Sequence, residues 1–487
     1  MKTIFPVLFC LAIPFFAPNR AHSQVVVSEP QVVADQATYG NLRPRVVADQ
    51  NNNPVIVWSD LVSHHIYATH LMGDSFMEPV QLNPDESNAA VYDWYGPDIA
   101  ISGNDVYVVY KELPESSGDI FLVHSSNGGM SWGSPMLVSD SDYPSVRMPD
   151  VAVGSDGTVH VAYMYEYSDT MATEWVVTKS ENEGQSFTPA VSATSSLAVN
   201  VCDCCPAELL IHENYVSVVY RNNDDNLRDI RAAVSQDGGA TFDIFIDLDP
   251  LNWELNACPA SGPNAMVDAN GIQSVWMSDA TGDNRVYYSS HGFGSGDDSP
   301  IIAMHDTQET EVQNYPTLAA EEFWGLVAWE VNDSGQKDIA MTWTAGGFTV
   351  QEYMLLTSDE SGHQQRPHLA SAGGSLFHLV YSDNGGDAVI YRSIDILNNV
   401  PEQSNVIEAA VFPNPFQDNT QIQFANGKKV NGYYTLFDMQ GRTLRDAAYF
   451  SNTDNLNLNM EDLSDGVYML QIVMGDKVVK LPLLKKE

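Results

Sequence analysis

The chain is poor in positive charge. Its 487 residues hold 22 Lys+Arg against 64 Asp+Glu, a formal net charge of -42. Such a surface repels phosphate backbones and anionic lipid, so nucleic acid is excluded as a partner. Cysteine is scarce as well, with 5 in all, so no dense disulfide scaffold is present. No apolar run is long enough to span a bilayer; the longest, Ile4 to Phe16, is too short and is broken by Pro6 and Pro14. Helix-period stretches are almost missing from the central four hundred or so residues. The glycine-rich turns therefore lack the strand–loop–helix context of a phosphate loop.

The short apolar run follows Lys2 and precedes Ala21-His22-Ser23. A positive start, an apolar segment and small residues at -3 and -1 read as a secretory signal over 1–23, cleaved before Gln24. Cys10 leaves with it. The mature chain keeps Cys202, Cys204, Cys205 and Cys258, and export allows these to form disulfides.

Seven segments then share one pattern: a proline, an apolar strand, a Gly/Asn/Asp turn, and a second strand ending in Trp or Tyr. The prolines are Pro44, Pro97, Pro149, Pro206, Pro263, Pro316 and Pro367, and the aromatics are Trp58, Tyr110, Tyr163, Tyr220, Trp276, Trp329 and Tyr381. Successive prolines are 53, 52, 57, 57, 53 and 51 residues apart, and each aromatic lies 13 or 14 residues beyond its proline. A third strand follows every aromatic, and six units carry a fourth. The seventh unit lacks a fourth strand, and the segment Val25 to Asp35 resembles the missing one. One small sheet cannot bury both faces alone, but radially stacked neighbours can. The expectation over 24–397 is an all-β, seven-bladed β-propeller whose N-terminal strand closes the last blade.

Three units add the pattern S-x-[DN]-x-G-x-[ST]-[WF] between the third and fourth strands. These are Ser125, Asn127 and Trp132; Ser180, Asn182 and Phe187; and Ser235, Asp237 and Phe242. Glycine supplies positive φ, the Asp or Asn caps backbone N–H groups, and the aromatic packs beneath. The pattern resembles the Asp box of the sialidase superfamily, in which the box is structural. The resemblance implies three arginines holding a substrate carboxylate, a Tyr/Glu nucleophile pair and an Asp acid/base. It departs from that family in having seven units where known sialidases mostly have six. It also reduces the first-arginine signature to Leu42-Arg43-Pro44-Arg45 and offers no motif for the Tyr/Glu pair.

In a propeller, the start of the innermost strand and the loop after the second strand share one face. This places Arg43, Arg147 and Arg366 at the central funnel, with Asp60, Glu112, Glu166, Arg221, Asp279, Glu330 and Asp383 in or beside the surrounding loops. Arginines suited to bidentate carboxylate binding are thus available. Two functions fit: an exo-sialidase-type glycoside hydrolase, or a non-catalytic propeller that recognises extracellular glycan, glycoprotein or another protein. The connectors opening units four and five, Cys202-Asp203-Cys204-Cys205-Pro206 and Cys258-Pro259, should meet on the same face. Together with Tyr220-Arg221-Asn222 and Arg228-Asp229-Ile230 they resemble a bacterial subgroup of sialidase-like propellers. The four cysteines fit either a pair of disulfides tying the two blades or a thiolate site for a soft metal such as Cu(I) or Zn; no other cofactor is indicated.

After Leu397 a polar stretch, 398–409, reads as a linker. A compact β unit follows over 410–487, with Pro413-Asn414-Pro415, Asp438-Met439-Gln440-Gly441-Arg442, Gly466-Val467-Tyr468 and a basic end, Lys480, Lys485 and Lys486. It resembles the type A C-terminal sorting domain of type IX secretion. That resemblance implies a small β-sandwich of about seven strands, recognition by the secretion machinery, and passage through the periplasm to the outer surface or beyond.

Overall fold

The computed structural model describes residues 24–35, 42–170, 172–194, 200–293, 301–305, 311–321, 324–345, 352–383, 387–397, 409–424, 429–438, 443–474 and 477–486. The signal segment 1–23 and most of the linker lie outside them. The described residues form strands and turns only, and no helix is long and apolar enough to cross a membrane. The chain divides into two compact units, Ser23–Leu397 and one holding Asn398–Glu487.

The first unit contains seven antiparallel sheets. Their inner strands are Leu42–Ala48, Asp98–Ser102, Val146–Val153, Glu208–His212, Asn264–Asp268, Val312–Glu321 and Gln364–Ser371. Each touches the next, and the last touches the first, so the sheets close into a propeller. We number the blades one to seven from Leu42–Ala48. Blade seven takes its outer edge from the N-terminus: Gln24–Val27 and Gln31–Asp35 both pair with Ala388–Leu397, with Val25 opposite Ile396 and Gln31 opposite Tyr391. This pairing covers an edge that would otherwise expose its backbone groups.

Each sheet buries apolar side chains on both faces, because each is sandwiched by its neighbours. The repeat aromatics Trp58, Tyr110, Tyr163, Tyr220, Trp276, Trp329 and Tyr381 are all essentially buried between blades. Burying such rings is the main apolar gain of the repeat, on the order of 2–3 kcal/mol each.

A second set of contacts runs around the axis. The Val151 N–H donates to Asp98 Oδ2 at 3.2 Å, and the Leu209 N–H donates to Asp150 Oδ2. Asn264 Nδ2 donates to Glu208 Oε2 at 2.8 Å, and Leu318 N donates to Asn264 Oδ1 at 2.7 Å. Leu369 N donates to Thr317 Oγ1 at 3.0 Å, and Val46 N donates to His368 Nδ1 at 3.2 Å. The Arg45–Asp98 ion pair, at 3.6 Å, completes the circle. Every junction between neighbouring inner strands therefore carries a polar link. In six blades the linking residue directly follows the repeat proline; in blade four that position is Ala207, and Glu208 serves instead.

Burial sets the protonation of this ring. His368 is held neutral, its basicity reduced by desolvation and by Arg45 and Arg43, which leaves Nδ1 free to accept. Glu208 is pushed up to about 8 by burial and then by Asp98. Asp150 is raised as well, first by burial and then by the same neighbour.

The three turns with the S-x-[DN]-x-G pattern have one geometry. Asn127 Oδ1 accepts from Ser125 Oγ at 2.9 Å and from Ser131 N at 2.9 Å; Asp237 Oδ1 accepts from Ser235 Oγ at 2.7 Å and from Thr241 N at 2.9 Å. Asn therefore replaces Asp without losing a bond. The glycine at the fifth position of each turn leans on the preceding blade. A Cβ on Gly129 would stand 2.8 Å from Val55 Cγ1, and one on Gly184 would stand 2.7 Å from Leu122 Cδ2.

The second unit holds a three-stranded sheet (Ala409–Phe412, Asn419–Phe424, Asn455–Asn459) and a four-stranded sheet (Thr443–Thr453, Val430–Asp438, Gly466–Met474, Lys477–Lys485). Ile422, Phe424, Leu436, Leu458, Leu470 and Leu483 form its core. Lys485, expected at a free basic end, is buried; its ammonium donates to the Met460 and Leu463 carbonyls at 3.0 and 2.8 Å. The turn 439–442 lies outside the described residues.

Two outcomes test this architecture. Removing residues 24–35 should expose the Ala388–Leu397 edge, lower the Tm of the propeller by several degrees and promote aggregation on heating. Glu208 binds its proton more tightly folded than unfolded, so its contribution is full below the unfolded value near 4.5 and is lost as pH rises through about 8. Glu208→Gln should therefore flatten the fall in Tm between pH 6 and 9 and be more stable than wild type at pH 9, as read by scanning calorimetry.

Candidate functional site

The residue before the repeat proline lines the channel mouth in every blade but the fourth, where it is buried Cys205. In blades one, three, six and seven it is Arg43, Met148, Tyr315 and Arg366, all with positive φ of 48 to 54°. The strand register shifts at each of these points. A bulge of this kind re-aims a side chain, and positive φ on a bulky residue costs energy that the surrounding structure must sustain. Gly96 and Gly262 occupy the equivalent position in blades two and five. A Cβ on Gly262 would lie 2.1 Å from the Pro206 carbonyl oxygen, so glycine lets the blade-four and blade-five connectors touch.

The mouth encloses a cavity of about 70 Å³ lined by Arg43, Arg366, Tyr315, Trp94, Tyr95 and His368, among others. That is room for roughly two waters at liquid density, and it is far below the roughly 300 Å³ or more of a pocket for a whole small-molecule ligand. Arg366 stacks on Tyr315, with Cζ 3.4 Å from the ring centroid. Its Nη1 meets Glu330 Oε2 at 3.1 Å, and its Nε donates to the Asp93 carbonyl at 2.7 Å. Glu330 is also paired with Lys337 at 2.8 Å.

Arg43 differs. It is 6% exposed and packs over Gly96. It makes no hydrogen bond or ion pair with the described residues, and its Nε is buried without a partner. Desolvation, then Arg45 and Arg366, weaken its hold on its proton more than Tyr315 and Asp98 restore it. A buried guanidinium among like charges is an arrangement that an anion would relieve.

Residues 92–95 form an aromatic strap across the mouth. Tyr92 and Trp94 stack with centroids 4.9 Å apart. Tyr95 donates to the Glu115 carboxylate at 2.6 Å, and Asp93 is the residue whose carbonyl Arg366 holds.

The other expected residues have separate places. Arg147 pairs with Glu166 in blade three. Asp60 caps its own turn, accepting from Val62 N at 2.7 Å and from Ser63 Oγ at 2.6 Å. Asp383 accepts from Gln364 Nε2 at 2.8 Å. Glu112 and Asp279 sit half-buried in the loops after the second strands of blades two and five. Arg221, expected at the funnel, is instead 1% exposed and committed to the fold. Its three nitrogens donate to the carbonyls of Ser261, Arg228 and Met277 at 3.0, 2.6 and 2.8 Å, which ties blade four to blade five. Tyr315 and the strap were not anticipated. Tyr315 shares the pre-proline register with Arg43 and Arg366, the signal by which the sequence marks it.

The cysteines form one disulfide, Cys204–Cys258, and two buried thiols, Cys202 and Cys205. The expected pair of bonds is thus half present. Closing a loop with a sequence separation of 54 contributes about 4 kcal/mol by chain entropy. Cys202, Cys204 and Cys205 lie within 4.8 Å of one another. Because Cys204 is committed, two thiols remain, fewer than the protein ligands of a structural zinc site.

The class of protein is therefore a β-propeller with an arginine-bearing mouth, followed by a small β-sandwich. Residues 410–485 match the family described as Secretion system C-terminal sorting domain, and such a domain directs export by type IX secretion to the cell surface or outside. No curated protein matches the chain in sequence. Among solved structures it is similar to a Dyadobacter fermentans protein of unknown function (12% identity, TM-score 0.47, covering 77% of this chain and 99% of that one). It is also similar to a Penicillium chrysogenum alpha-L-arabinanase complexed with arabinobiose (12%, TM-score 0.42, 76% and 99%). A third is a Trypanosoma rangeli sialidase in complex with the inhibitor DANA (10%, TM-score 0.42, 91% and 84%).

Arg43 and Arg221 should respond oppositely to substitution. Arg221→Ala strands three buried carbonyls and should cost at least about 3 kcal/mol. Arg43→Met removes a buried charge with no partner among the described residues and should raise the Tm. A fall in Tm for Arg43→Met as large as that for Arg221→Ala would show that Arg43 has a structural partner.

Proposed function

We propose that the exported propeller recognises a carboxylate-bearing group of an extracellular glycan or glycoprotein, with Arg43 as the anchor. The observation that carries this reading is the buried Arg43 guanidinium, which lacks a partner among the described residues and opens on the mouth cavity. The cavity suits a carboxylate and not a whole sugar ring, so the rest of the ligand would lie outside, over the strap. Half-buried Trp94 and Tyr92 offer ring faces for that purpose. Arg366 is held by Glu330, Asp93 and Tyr315 and supplies a second positive charge at a fixed place.

Recognition without turnover is favoured over hydrolysis. Tyr315 is the tyrosine that acts on the anchor's charge, but burial pushes its hydroxyl up, away from the ionised form a nucleophile needs. Glu330 has both oxygens engaged by cations. In the same reading, residues 1–23 are the export signal, 398–409 the linker, and the three Ser/Asp/Asn turns are Asp boxes with a structural role.

Calorimetric titration of the secreted chain with sialylated, uronate-terminated and uncharged oligosaccharides tests this. A carboxylated ligand should bind, and Arg43→Met should weaken it by roughly 30-fold or more, the cost of removing one member of a buried charge pair. Equal binding of uncharged ligands, or unchanged affinity in Arg43→Met, would sink the proposal. Release of fluorophore from a fluorogenic sialoside would replace recognition by hydrolysis.

A further inference from the structure

The cysteine cluster lies where blades four and five meet, apart from the Arg43 cavity. Cys202 and Cys205 are both buried, and their Sγ atoms are 2.7 Å apart. Cys202 Sγ is also 3.6 Å from Cys204 Sγ, one half of the Cys204–Cys258 bond. The Cys202 N–H is fixed by the Arg221 carbonyl at 2.8 Å, and Cys205 N donates to the Cys202 carbonyl at 3.3 Å, so the turn holds the two sulfurs together. A thiol hydrogen bond from Cys205, with Arg221 and Arg228 nearby, pulls Cys202 below the usual thiol range, while burial pushes Cys205 up.

Three chemistries can occupy such a pair. A metal cation would add positive charge beside two guanidiniums, with only two thiols to offset it. A persistent dithiol would leave an ionisable sulfur within reach of an existing disulfide, in a protein exported from the reducing cytosol. A disulfide carries no charge, needs no acceptor and removes that nucleophile.

We infer that Cys202 and Cys205 are joined as a second disulfide in the exported protein, and that this bond protects the Cys204–Cys258 staple from attack by Cys202. Its formation is a thiol–disulfide exchange with an oxidised protein dithiol. The Cys202–Cys205 bond forms, the oxidant's S–S bond breaks, and the oxidant takes up two electrons and two protons as two thiols. The reaction it prevents is internal. A Cys202 thiolate attacks Cys204 Sγ, a Cys202–Cys204 bond forms, the Cys204–Cys258 bond breaks, and Cys258 leaves as a thiolate. The covalent tie between the two blades would then be lost with no net oxidation.

The test is alkylation of the full secreted chain, unfolded without reductant and mapped by peptide mass. Wild type should show no alkylated cysteine among the four. The Cys204→Ser/Cys258→Ser variant should also show none, because Cys202 and Cys205 remain joined. In Cys205→Ser the lone Cys202 should scramble the staple, so that alkylated Cys258 appears and increases between pH 6 and 8. In Cys202→Ser/Cys205→Ser it should not appear at any pH. Alkylation of both Cys202 and Cys205 in wild type, or stoichiometric copper or zinc in the purified protein, would overturn the second disulfide. Cys205→Ser alkylated at Cys202 alone at every pH would overturn the protective role.

Discussion

The structure depends on the ring of side chains that ties each inner strand to the next. A propeller blade has two apolar faces and cannot exist alone, so all seven must be held at once. Burial of Trp58, Trp276, Trp329 and their tyrosine counterparts supplies the attraction between sheets, but it is not directional. The links from Asp98, Asp150, Glu208, Asn264, Thr317, His368 and Arg45 supply direction. They set how far each inner strand is displaced along its neighbour, and they satisfy N–H groups that the narrow channel hides from water. The N-terminal strand then closes the outer circumference of the last blade, as His368 closes the inner one.

The same ring makes the mouth possible. Four inner strands bulge just before their prolines, and each puts a non-glycine residue at positive φ. A strained backbone survives where its flanks are over-determined. Here they are, because the residue on the far side of each proline is locked to the next blade. Arg43 is the extreme case, a buried cation that makes no hydrogen bond or ion pair with the described residues.

Blade four is the exception that explains the cysteines. Its proline is followed by Ala207, which cannot make the link, so Glu208 replaces it one position later and meets a side chain, Asn264, rather than a backbone N–H. This same junction carries the Cys204–Cys258 bond, the three Arg221 hydrogen bonds and the close approach of Gly262 to Pro206. Covalent and charged ties concentrate where the regular link is displaced.

The repeat was legible because proline, turn and aromatic recur at nearly constant spacing, and burial of a two-faced sheet demands that regularity. The sheet count, the N-terminal strand in the last blade, the meeting of the two cysteine-bearing connectors and the sorting domain all followed from pattern. The site was legible only in part. Register pointed Arg43 and Arg366 to the mouth, where they line the cavity, and also Arg147 and Arg221, which do not line it. Whether an arginine is left open or consumed depends on carbonyls brought from other blades, and for Arg221 these belong to residues seven to fifty-six positions away. The ring residues have their partners in the neighbouring repeat, which local pattern does not reach. Local sequence determined what each blade is, because hydrophobic period and turn chemistry act over a few residues. Only the closed tertiary structure decided which charges are paired, because pairing is set by what the next blade presents across the junction.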